Sequence, residues 1–239
     1  MEFSLRHVGA LLRKELKDFS KNVNVLLMCI LPIAFSLIYT NLFTQEEISK
    51  IHLLTLCLGM SLSLVSSYVI AMLIAEEKEK YTLRTLMLSS VSPLEFLTGK
   101  ALVSLLSSIA CNTVIFLIVG VDLSFLPEYL LYSSLVCISM IEIGAVIGIL
   151  SANQMATGVL GVPIIMFFLM IPMFASFNPV LEKIAQFLPN HNLFVLLRSR
   201  FNGESFNSES ILNLGVILVW ILVSGGIFAY AYRKKGLDN

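Results

Sequence analysis

The chain has 239 residues, of which 57% are apolar and 13% charged; its mean hydropathy is +0.87, and 16 basic side chains balance 16 acidic ones. Soluble domains carry about 25% charged residues to solvate their surface, so this composition excludes a soluble enzyme, a nucleic-acid binder and a disordered chain. A net charge of zero points to no polyanionic partner. The lipid bilayer is the solvent that suits such a chain.

A membrane span needs roughly 20 mainly apolar residues. Six windows qualify, 22–43, 51–75, 100–120, 129–150, 156–177 and 211–232, and none holds Lys or Arg beyond its first or last residue. Their apolar runs are continuous rather than alternating, which selects helices over a barrel. The expected fold is therefore an all-α integral membrane protein, one transmembrane domain over 1–239.

Before the first window, residues 4–20 place Leu5, Val8, Leu12, Leu16 and Phe19 within an arc of about 80° on a helix, with Arg6, Arg13 and Lys17 opposite. An amphipathic helix of this kind lies in the headgroup layer, either anchoring the first span or meeting a cytoplasmic partner. The first window is longer than a signal-peptide core and lacks an Ala-x-Ala exit, so it is expected to be retained.

The segment 76–99 is the longest polar connection that is also rich in motifs. It opens on Glu76, Glu77, Lys78, Glu79 and Lys80, and then offers Leu83, Leu86 and Met87 at i, i+3 and i+4. Next, Ser92-Pro93-Leu94-Glu95 has the order of an N-cap, a proline at the first helical position and a capping glutamate. A bare hairpin between spans needs only a few residues. A 24-residue loop with its own capped architecture suggests a docking surface.

This stretch resembles the cytoplasmic loop of ABC-2-type transporter permeases, in which an acidic start, a Gly-Thr-Leu, a short Leu-rich helix, a Pro-Val-Ser and a later Glu…Gly-Lys recur. The matching residues are Glu76, Glu77, Glu79, Thr82, Leu83, Leu86, Val91, Ser92, Glu95, Gly99 and Lys100; the chain departs at Tyr81, where Gly is usual, and at Ser90, where Pro is usual. The resemblance extends to the basic elbow helix, the six spans and the long segment before the last span. It implies that the short helix is a coupling helix seated in a cleft of a separate ATPase. Leu83, Leu86 and Met87 would then be apolar anchors, with Glu76, Glu77, Glu79 and Arg84 at the rim and Ser92, Pro93 and Glu95 starting the next helix. It further implies two ATPase copies, which hold the ATP and Mg, and a second permease subunit, identical or paralogous.

The chain itself lacks a P-loop: Gly99-Lys100 has Leu94 in place of the first Gly and Ala101 in place of the hydroxyl residue. Twelve of the 16 basic residues fall before the first window, between the second and third (with Lys100 at the third window's first position), and after the sixth. The positive-inside rule then puts both termini in the cytoplasm of a cell-membrane protein. Residues 178–210, on the opposite side, hold a short helix, a break at Pro189 and an apolar stretch from Leu193 to Phe201 carrying Arg198 and Arg200. In the resembling family a re-entrant pair sits there; an interfacial loop without a gating role is the plainer alternative.

Within the spans, Glu142 is the only deep acid, with Asn112 on the preceding span at a depth where the two can meet with modest tilt. Gly144 and Gly148 point to the opposite side of Glu142's helix and mark a close packing face. Pro163 and Pro172, on one helix, mark it as a pathway-lining or moving element. Cys29, Cys57, Cys111 and Cys137 all lie in spans and are expected to pack rather than bind metal.

An intramembrane protease is a different reading of Glu76-Glu77…Arg84. The spacing is wrong for it, and His7, His52 and His191 sit outside the spans or at their edges. A secondary transporter usually needs several ionisable groups at the midplane. The expected function is thus the permease subunit of an ATP-driven exporter for a small peptide, antibiotic or other amphipathic molecule, a lipid or glycan substrate being the alternative within the same architecture.

Overall fold

The computed structural model describes residues 4–19, 21–43, 49–82 and 92–235. Among these residues nine α-helices form: α1 (Leu5–Phe19), α2 (Val23–Leu42), α3 (Lys50–Glu79), α4 (Pro93–Val119), α5 (Leu126–Leu150), α6 (Gln154–Phe174), α7 (Pro179–Ala185), α8 (Pro189–Phe201) and α9 (Ser208–Lys235). Six of them (α2, α3, α4, α5, α6 and α9) are long and apolar enough to cross a membrane. They coincide with the six sequence windows, and the chain is an all-α integral membrane protein. Helices α2, α6 and α9 turn apolar residues such as Leu27, Val159 and Leu222 outward, while α3 is the central, most buried span. The end bearing α1 and the C-terminus of α9 is called basal below, and the opposite end distal.

Helix α3 is not uniform. Leu62–Tyr68 winds as a π-helix between two α-helical halves. A π turn wraps five residues per hydrogen bond and leaves backbone carbonyls poorly aligned with their own helix. Serines of α4 take up that slack: Ser104 Oγ lies 3.2 Å from the Val65 carbonyl and 3.0 Å from that of Ser66. Ser66 in turn donates to Ser108 Oγ (3.0 Å), and Ser108 to the Ser104 carbonyl (2.7 Å). Nothing in the apolar periodicity marks Leu62–Tyr68 for this winding.

An adjoining face of α3 meets α5 at the two glycines singled out by sequence. A Cβ on Gly144 would lie 2.0 Å from the Ser67 carbonyl oxygen, and one on Gly148 would lie 3.0 Å from that of Ala71. Only residues without a side chain admit this approach. Cys57, Cys111 and Cys137 are free and buried in the same core, as packing residues.

Helix α1 lies against α4, but it turns a different face inward than its apolar arc suggests. Val8, Leu11 and Glu15 are buried, whereas Leu16 is 46% exposed. Leu11 fits because Gly99 opposes it, where a Cβ would lie 3.1 Å from Leu11 Cβ. Glu15 is drawn in by a charge on α4, described next.

Candidate functional site

Five consecutive charged residues close α3 at its basal end, and four of them take hold of neighbouring helices. Glu76 Oε2 accepts from Asn22 Nδ2 at 2.6 Å, reaching the residue that caps α2. Lys80, one turn on, pairs with Glu76. Glu77 accepts from Lys14 of α1 at 2.6 Å, faces Lys100 of α4 at 3.4 Å, and accepts from the Thr82 hydroxyl at the edge of the loop. Lys78 donates to the carbonyls of Gly148 (3.3 Å), Ile149 (2.5 Å) and Ser151 (3.1 Å), the unsatisfied C-terminal carbonyls of α5. Glu79 Oε2 accepts from the Gln154 amide at 3.1 Å, a carboxylate at the positive end of α6. The run therefore ties α3 to α1, α2, α4, α5 and α6 within two turns.

The centre of this hub is a buried ion cluster. Lys100 is 1% exposed, Glu15 2% and Glu77 6%, and Lys100 Nζ lies 2.9 Å from Glu15 Oε2 and 4.9 Å from the Phe96 ring centroid. Lys14 reaches Glu15 as well, at 3.3 Å. Burial works against the charge of Lys14, but its hydrogen bond to Glu77 and the nearby Glu15 outweigh this and raise its pKa. Two acids and two bases so placed neutralise one another. Removing any one leaves a buried charge without its partner.

A second joint fixes α1 to the start of α4. Ser92 Oγ accepts from the Glu95 amide (3.2 Å), Glu95 Oε2 accepts from the Ser92 amide (2.7 Å), and Pro93 opens the helix, which is the capping box read in the sequence. Glu95 Oε1 also accepts from the Ser4 amide at 2.6 Å, at the N-terminus of α1, with His7 Nδ1 at 3.3 Å.

Glu76, Glu77, Glu79 and Glu95 are thus all engaged inside the chain. Leu83, Arg84, Leu86 and Met87, the expected anchors and rim charge, lie outside the described residues. Just before them Tyr81 has φ 55°, left-handed backbone at the position where the resembling family has Gly. Glu15 and Lys100 complete the hub although neither was picked out as a site partner. Their signal is a carboxylate on a helix face shared with Val8 and Leu11, and a lone lysine at the mouth of a span.

Glu142 and Asn112 do not meet. Asn112 is fully buried, accepts from Ser61 Oγ at 2.6 Å and has its Nδ2 3.8 Å from Cys137 Sγ. Glu142 faces α9 instead, accepting from Ser224 Oγ at 2.6 Å, where Gly225 leaves room for its other oxygen. Position along a span sets the depth of each residue but not which helix it faces. Glu142 also borders a small cavity of about 160 Å³ with Leu97, Ala101 and Phe228. Helix α6 runs through both prolines: Pro163 is exposed, and Pro172 lines a cavity of about 490 Å³ at the distal end, between α3, α6 and α8.

Compared with known protein families, residues 6–230 match the model of the ABC-2 family transporter proteins. The chain belongs to that family. This ABC-2 family protein is accordingly a membrane transport subunit of an ABC system, which works with an ABC ATPase. No curated protein compared with it matches.

Proposed function

We propose that this ABC-2 subunit is the permease of an ATP-driven exporter in the cell membrane, with its basal end in the cytoplasm. It pairs with a second permease, identical or paralogous, and with two ATPase subunits that bind ATP and Mg. Residues 82–91 dock on the ATPase through Leu83, Leu86 and Met87, with Arg84 at the rim. The observation that carries this reading is the hub directly behind that loop. Glu76–Lys80 grips five other helices, so a push on the loop moves α1, α2, α4, α5 and α6 together with α3. The distal cavity bordered by α6 is the outward end of the path. Its apolar walls suit a small peptide, an antibiotic or another amphipathic molecule.

Co-expression with the neighbouring ATPase tests this. Leu83→Asp with Leu86→Asp is expected to abolish co-purification and nucleotide-driven efflux while the permease still inserts. Unchanged efflux from that variant would refute the docking role.

A further inference from the structure

The arginines of α8 are not equivalent. Arg200 is satisfied by Glu128, with Nη2 3.0 Å and Nε 3.1 Å from its carboxylate oxygens. Arg198, two residues earlier, points instead into the distal cavity and has no carboxylate within salt-bridge distance among the described residues. Its Nη2 lies 3.2 Å from His52 Nδ1 at the start of α3. Donation into that nitrogen leaves the rest of the guanidinium fork, and the second ring nitrogen of His52, free to donate. His191, another donor, lines the same cavity; among the described residues the one acid on the wall, Glu182, is exposed on α7 and bonds none of them. Around this polar end stand Leu169, Met173, Phe174, Phe177 and Phe194. The volume of about 490 Å³ falls among small-molecule sites, roughly 300–1,000 Å³.

We infer that the distal cavity is a binding site for an amphipathic anion, whose carboxylate or phosphate head is held by Arg198 with His52 and His191, and whose apolar body lies against α6 and Phe194. A guanidinium on the cavity wall with no acidic partner among the described residues is the group that such a head completes, since its planar fork matches two oxygens at once. The inference rests on the reading of this cavity as the outward end of the export path, and it narrows the substrate class to anions. The head can come from a molecule in transit or from an anionic lipid of the adjoining leaflet.

The test uses the full chain in phosphatidylcholine nanodiscs, without ATPase or ATP, and dodecanoic acid carrying a diazirine, with the matching alcohol as the uncharged probe. After photolysis, mass spectrometry maps the adducts. The acid is expected to label residues 169–177 and 194–198 well above the alcohol. Arg198→Gln should lower acid labelling about tenfold, the scale of one charge-assisted contact, and Arg198→Lys should retain most of it. Equal labelling by acid and alcohol in the unaltered protein, or undiminished labelling in a normally melting Arg198→Gln variant, would overturn the inference. Phosphatidylglycerol in the disc identifies the lipid source if it competes and the transported source if it does not. Because no nucleotide is involved, a negative result here beside intact ATP-driven efflux removes only this inference.

Discussion

Lys100 is the residue on which the basal end depends most. It is almost wholly buried and faces both Glu15 and Glu77. Lys100→Met keeps the length of the stem and removes the charge, so two buried carboxylates are left to share Lys14 alone. The expected loss is about 3–5 kcal/mol, the cost of breaking a buried pair from one side, read as a lower melting temperature of the purified permease. Tyr81 is a gentler case. A side chain at φ 55° costs roughly 1–2 kcal/mol, so Tyr81→Asn, which tolerates the left-handed region, should melt no lower than the parent. Tyr81→Val should melt lower, because a branched Cβ is the worst fit there. The departure at Tyr81 was visible in the sequence against the family pattern, but its backbone consequence was not. The same holds for Glu15: its presence on an inward helix face could be read, yet the partner that draws it inward lies 85 residues away.

At the scale of elements, the spans were legible because length and apolar continuity are all that a bilayer asks of a helix. The capping box at Ser92–Glu95 was legible because its chemistry is local. The Gly144 and Gly148 face was legible because small residues four apart share one side of a helix. What lay beyond reach was the π segment of α3, since a change from four to five residues per hydrogen bond leaves the apolar pattern intact. The inward face of α1 was also misread, because a buried ion pair outranked an exposed Leu16. The α3–α5 contact gives the sharpest prediction at this scale. Gly144→Ala puts a methyl carbon 2.0 Å from a backbone oxygen that belongs to the π segment and cannot rotate away. The helices must separate, and the expected cost is at least 1–3 kcal/mol, typical of overpacking. Gly215→Ala, with nothing within 4 Å of its added carbon, is the control that should melt like the parent.

Taken whole, the permease has a basal end built round an ion cluster and a distal end with a largely apolar cavity that carries Arg198, His52 and His191, joined by one central helix. Helix α3 carries the hub at its foot and His52 at its head, against the cavity, so it joins the basal ion cluster to the distal cavity. Glu142 and Asn112, tied to Ser224 and Ser61, serve the contacts of α5 with α9 and of α4 with α3 rather than each other. The claim at the centre is that nucleotide-driven motion passes from residues 82–91 through Glu76–Lys80 to the distal end. Its most direct measurement is the distance between spin labels at Leu42→Cys and Phe177→Cys, both exposed distal positions. The four native cysteines are replaced by Ala, and the permease is bound to its ATPase with and without ATP. We predict an ATP-dependent change in that distance, and its loss in Lys78→Gln/Glu79→Gln although the ATPase stays bound and hydrolyses ATP. An unaltered ATP-dependent change in the hub variant would contradict the account.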